Sequence, residues 1–179
     1  MLQAEVGSAK ITNEHSYPQR GRLMRDFTLL STDGKAMSLY DYRGRANLVV
    51  VFAGDVGRSM RTDFLAELVS RYTEIRKHDA EVLLVAACSR EQAAEIQHEI
   101  KPPFPVLVDE DMQIHQSVGA LVQTGASAIY LTDRFLEVFA AWRTSEGNNI
   151  PSIPEILSWL DFVSSQCPEC TQSEWPTDE

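Results

Sequence analysis

Cys167-Pro168-Glu169-Cys170 packs more potential chemistry into four residues than any other stretch of this chain. A Cys-x-x-Cys pair serves dithiol–disulfide exchange, or supplies half of a tetrahedral zinc site. The phrase follows the last helix, whose C-terminal end is the negative pole of the dipole and disfavours thiolate. Zinc would need two more ligands, and beyond Cys88 the chain offers only four histidines. His15, His78 and His98 have no partner at ligand spacing, and His-Glu-x-x-His does not occur. A symmetric dimer sharing four cysteines, or a partner protein, would complete the set. Redox dithiol, zinc site and structural pair all stay open. Cys88 ends an apolar stretch, where a free cysteine ordinarily acts as a small core residue.

The second candidate is the loop Gly54-Asp55-Val56-Gly57, followed by Arg58, Ser59, Met60 and Arg61. A loop entering a helix turns its free N–H groups outward, and two guanidinium forks beside them can cradle a small anion. The plainer reading makes Arg58 and Arg61 solvated residues of the first turn. Ser59 resembles the serine of a nucleophile elbow, but the second glycine and an Asp-then-His order are missing. Asp109-Glu110-Asp111 reads as a solvated turn capping a helix from Asp111, because three consecutive carboxylates cannot all face one ion. His115, inside that helix, reads as a surface or packed residue.

The elements that must carry these residues follow from periodicity. Residues 47–53 and 81–87 are apolar without alternation, as strands buried on both faces are. Between them Phe64, Leu65, Leu68, Val69, Tyr72 and Ile75 recur at helical steps, predicting one helix over 59–77. Strand–helix–strand implies a right-handed parallel crossover. Asp33-Gly34 between short apolar stretches predicts a hairpin with positive φ at both turn positions. Helices are expected at 90–100, stopped by Pro102-Pro103, and at 111–118 and 153–163. Residues 106–108 read as a short edge strand, and 127–132 with 137–142 as an antiparallel pair about Asp133-Arg134. Residues 1–20 lack a sustained period and read as an arm, 21–164 as one domain, and 165–179 as an acidic tail.

Composition narrows the function classes. The 179 residues carry 26 acidic against 16 basic side chains, a formal charge of −10. That balance opposes phosphate neutralisation and excludes nucleic acid as an expected partner. No apolar run approaches the ~20 residues a bilayer needs, and the N-terminus shows no secretory pattern, so the expected location is cytoplasmic. An odd number of cysteines, three, suits a reducing compartment.

The order of elements and several phrases together resemble the peroxiredoxins, the alkyl hydroperoxide reductase/thiol-specific antioxidant (AhpC/TSA) redoxins of the thioredoxin fold. The phrases are Arg25-Asp26-Phe27-Thr28-Leu29, Asp33-Gly34-Lys35, Leu39-Tyr40-Asp41-Tyr42-Arg43-Gly44 and Pro103-Phe104-Pro105-Val106-Leu107-Val108-Asp109, spread over 23–162. The resemblance implies an α/β fold with a mixed sheet flanked by helices and an N-terminal hairpin, and an antioxidant or oxidoreductase class. In the family a cysteine follows the first parallel strand, in Pro-x-x-x-Thr-x-x-Cys. Aligned from Phe52, that sulfur falls on Met60 and the threonine on Gly57. Against Cys-x-x-Cys relatives the thiols fall on Arg58 and Arg61. The family's activating arginine, or the thioredoxin proline, falls near Ser127. A thioether has no ionisable proton, so thiolate peroxidase chemistry is not expected there. The expectations are thus a redoxin using Cys167 and Cys170 without a cofactor, or a redox-inactive binding or scaffold module. In the second, the old pocket holds an anion or a partner and the tail pair binds zinc in a homodimer or with a partner protein.

Overall fold

The structure, a computed structural model, describes residues 17–54, 62–120, 125–144 and 149–166. Its centre is a seven-stranded mixed sheet in the order β2-β1-β5-β4-β3-β6-β7. The strands are β1 (Thr28–Ser31), β2 (Ala36–Ser38), β3 (Asn47–Ala53), β4 (Ala80–Ala86), β5 (Val106–Val108), β6 (Ala128–Thr132) and β7 (Val138–Arg143). The helices are α1 (Thr62–Ser70), α2 (Tyr72–Arg76), α3 (Arg90–Ile100), α4 (Gln113–Ser117) and α5 (Ile153–Ser165).

β3 shows why its sequence has no alternation: every residue of it is buried. Val49, Val51 and Ala53 point into one core, and Leu48, Val50 and Phe52 into the other. β3 and β4 run parallel with Asn47 opposite Ala80 and Ala53 opposite Ala86. The first core is closed by helix stripes, with Leu65 and Leu68 from α1, Ile75 from α2 and Ile156 and Leu160 from α5. The second is closed by Met24 and Phe27 of the N-terminal segment, by Leu39 in the 3-10 turn Leu39–Tyr42, and by Val118 just after α4.

Four local expectations are corrected. The β1–β2 turn has positive φ only at Gly34, and Leu30 pairs with Ala36, so the loop is longer than two residues. β5 is no edge strand: it lies between β4 and β1, pairing antiparallel with β1. The long helix is broken at Arg71, whose backbone leaves the helical region and whose guanidinium forks onto Glu74 at 2.7 and 2.9 Å. The fourth helix begins at Gln113, two residues later than expected and after a left-handed residue at Met112, with the Asp111 carboxylate accepting the Gln113 N–H at 3.4 Å. Asp133 shapes the β6–β7 connection by accepting the N–H groups of Phe135 and Glu137. Residues 17–20 lie against the domain, where the Pro18 carbonyl accepts from the Arg143 guanidinium at 3.0 Å. Among the described residues no helix is long and apolar enough to cross a membrane.

Candidate functional site

Register decides which residues meet. Ala53 lies opposite Ala86, Ala86 opposite Val108, and Phe52 opposite Ala128. The chain therefore leaves β3, β4 and β5, and enters β6, at one edge of the sheet. Gly54, Cys88, Asp109 and Ser127 gather there. In open α/β sheets the carboxyl ends of the parallel strands are where ligands sit.

Gly54 and Ser127, both picked out from the sequence, are brought together. The Gly54 N–H faces Ser127 Oγ at 3.5 Å, and a Cβ on Gly54 would overlap the carbonyl oxygen of Ala126. Only glycine allows that approach. Ser127 is itself buried, and Thr144 ties it down: its N–H donates to Thr144 Oγ1 at 2.8 Å, and Thr144 N–H donates to the Ser127 carbonyl at 3.0 Å. A short hydroxyl thus stands there, out of solvent. Asp55, Gly57, Arg58, Met60 and Arg61 lie outside the described residues, as do Cys167 and Cys170.

Cys88, just beyond β4, is half-buried against the helix-covered core. Burial pushes its thiol above the usual value, and the nearby Glu110 carboxylate pushes further the same way. Both effects favour the neutral thiol. A reactive cysteine needs the opposite surroundings.

The deepest polar feature of the mouth departs from the sequence reading. Asp109 is not in a solvated turn, and His115 is not at the surface: they are 1% and 0% exposed. Asp109 Oδ2 lies 2.6 Å from His115 Nδ1 and accepts the His115 backbone N–H at 2.8 Å. The carboxylate thereby satisfies a donor at the start of α4 that the αL residue Met112 leaves without a side-chain cap. On the other side of the ring, His115 Nε2 faces the Ala53 carbonyl at 3.2 Å. A carbonyl only accepts, so Nε2 carries a proton, and a second proton lies between Nδ1 and Oδ2. With that proton the pair is neutral whichever atom holds it, which is what a dry site requires. Burial alone would raise the Asp109 carboxyl, but the hydrogen bonds from the His115 ring and main chain outweigh it and hold it below 3.8. Phe52 meets the imidazole edge-on at 5.5 Å. The sequence signal for the pair is slight: an aspartate directly after an apolar strand and a histidine six residues on.

Chemically, then, the described mouth offers a clamp on the last carbonyl of β3, a buried hydroxyl and an un-ionised thiol. Among the described residues no three His, Cys, Asp or Glu side chains are grouped to hold a metal.

Comparison with known proteins agrees with this architecture. Residues 21–141 match the model of the AhpC/TSA family. AhpC from Mycobacterium bovis superposes with a TM-score of 0.68 at 20% identity, covering 87% of this chain and 99% of that one. The mitochondrial 2-Cys peroxiredoxin of Plasmodium falciparum gives 0.67 at 13%, covering 81% and 94%. A putative protein disulfide isomerase from Bacteroides thetaiotaomicron gives 0.68 at 17%, covering 83% and 92%. At these identities the structural likeness speaks for the fold. No curated protein matches the chain.

Proposed function

The chain belongs to the AhpC/TSA family, and from that premise we propose that it is a redoxin whose sheet mouth binds rather than reduces peroxide by a thiolate. One observation carries this reading: the thiol at the mouth, Cys88, is held in its neutral form by burial and by Glu110. The sequence of the adjoining loop, Gly54 to Arg61, agrees with it, having no cysteine. Binding there falls to the Gly54–Arg61 loop, with Arg58 and Arg61 as the cations for a small anion. The protein works in the cytoplasm, as a homodimer or with a protein partner.

A second reading is supported by the Cys167-x-x-Cys170 spacing. In it the two thiols lose two electrons and two protons to a disulfide substrate, which leaves as two thiols while Cys167 and Cys170 form one disulfide. A metal count with a thiol titration separates the alternatives. Two titratable tail thiols without metal support exchange, whereas about half a zinc per chain supports a shared four-cysteine site in a dimer. Peroxide and insulin-disulfide turnover by wild type and by Cys167→Ser completes the test. The binding reading expects neither activity; turnover lost in Cys167→Ser replaces it with the exchange reading.

A further inference from the structure

A concavity lies beside the mouth residues without including Gly54, Cys88, Asp109 or Ser127. It is a cleft of about 460 Å³ between the N-terminal segment and α4. That is within the range of small-molecule sites, roughly 300–1,000 Å³. Its floor is apolar: Met24 and Phe27 are buried, and Ile114 and Val118 close it from the α4 side.

Both walls are fixed to the body of the protein, so the cleft is formed before any ligand arrives. The N-terminal wall is zipped to β7: Gly21 and Met24 donate N–H groups to Val138 and Leu136 carbonyls at 2.8 Å, and Val138 donates to Arg22 at 2.9 Å. The opposite wall hangs on Tyr130, whose hydroxyl donates to the Val118 carbonyl at 2.7 Å. Arg143 bridges the two, reaching the Pro18 carbonyl at 3.0 Å and the Tyr130 hydroxyl at 3.1 Å.

The rim supplies the sign of the ligand. Arg22 and Arg25 line the cleft and are exposed, and among the described residues neither guanidinium has a side-chain partner. The carboxylate in the lining, Asp26, is committed elsewhere, accepting from Ser38 Oγ at 2.7 Å and from the Tyr40 N–H at 3.3 Å. Two uncommitted cations above an apolar floor form an amphipathic receptor in an otherwise acidic chain.

We infer that this cleft binds a small amphiphilic carboxylate, its head taken by Arg22 and Arg25 and its hydrocarbon laid on Met24, Phe27, Ile114 and Val118. Guanidinium–carboxylate bonding gives the head-group preference, and burial of the chain gives the affinity. Cys88 is not among the residues that line it.

The test is an NMR titration with octanoate, 1-octanol and octylammonium, three probes with one tail and different heads. The wild type should bind octanoate about tenfold more tightly than octanol, and octylammonium most weakly. Shifts should fall on Met24, Ile114 and Val118. In the double variant Arg22→Gln/Arg25→Gln octanoate should fall to the affinity of octanol, with octanol unchanged. Because both arginines are exposed, the fold should survive, which an unchanged melting temperature would verify. Equal binding of the three probes, octanoate binding unaltered in the double variant, or shifts centred on the surface around Trp159 and the exposed Phe162 would each overturn the proposal. Absence of any octanoate binding at millimolar concentration would do so as well.

Discussion

The two faces of the central sheet are covered by different material, and the larger buried polar side chains stand on one of them. One face is covered by helical stripes, and its core consists of apolar side chains. The other is covered largely by irregular chain, namely the N-terminal segment, a 3-10 turn and the short α4. Asp109, His115, Tyr130 and Arg143, all buried, stand on this second side. The reason is backbone accounting. A helix satisfies its own N–H and C=O groups, whereas irregular chain laid on a sheet needs partners for them. Tyr130 serves the Val118 carbonyl, Arg143 that of Pro18, and Asp109 the His115 N–H. Buried polar groups here follow from the covering layer, and they stiffen both the sheet mouth and the cleft.

The contrast is broken most severely at Asp109. Asp109→Asn removes the carboxylate that bonds the His115 ring and main chain out of solvent, and should cost about 1.5–3 kcal/mol at pH 7. Leu68→Ala on the helical face should cost a comparable ~2–5 kcal/mol through an unfilled cavity. Acidity separates the two. The folded Asp109 carboxyl lies below 3.8. Its contribution is therefore complete above that value and disappears as pH falls through the lower folded value. Urea unfolding at stepped pH should show the wild type converging on Asp109→Asn as pH falls below 3.8 while keeping a constant gap from Leu68→Ala. Parallel curves for all three would deny the second face its ionic character.

A middle-sized effect is expected at Arg143. Arg143→Met strands the Pro18 carbonyl and should cost about 1–3 kcal/mol. Amide exchange at Gly21 and Met24 should accelerate, since their hydrogen bonds hold the segment that Arg143 anchors. Unchanged exchange would mean that β7 alone holds that layer. The smallest effect belongs to Glu110. Removing its charge in Glu110→Gln, with Cys167 and Cys170 replaced by serine, should speed alkylation of Cys88 by about twofold at pH 8, as suits a partly screened neighbour. A large acceleration would show that the carboxylate, not burial, governs this thiol.

How far the sequence reveals this arrangement varies along the chain. β3 and β4 are legible because strands buried on both faces have to be apolar throughout, and the four family phrases and element order lead to the right fold. β5 misleads because three residues do not say how many neighbours they have; only its pairing with β1 puts it inside the sheet. The Asp109–His115 pair is hidden by a shift of two residues in where α4 begins. Started at Asp111, the helix makes Asp109 part of an exposed turn; started at Gln113, it leaves Asp109 free to cap it from inside. The cleft is hidden because its N-terminal wall has no period, and its backbone bonds to β7 are long-range. Of the site residues read from the sequence, Gly54 and Ser127 do converge, and the others fall outside the described residues.

The functional account depends on a mouth whose sulfur stays a thiol. Purified, fully reduced protein should be exposed briefly to equimolar hydrogen peroxide, trapped with a sulfenate-specific reagent, and mapped by mass spectrometry. The expected result is no adduct at Cys88 on the second timescale. Rapid, stoichiometric labelling of Cys88 would contradict the account, because it requires a thiolate where burial and Glu110 oppose one.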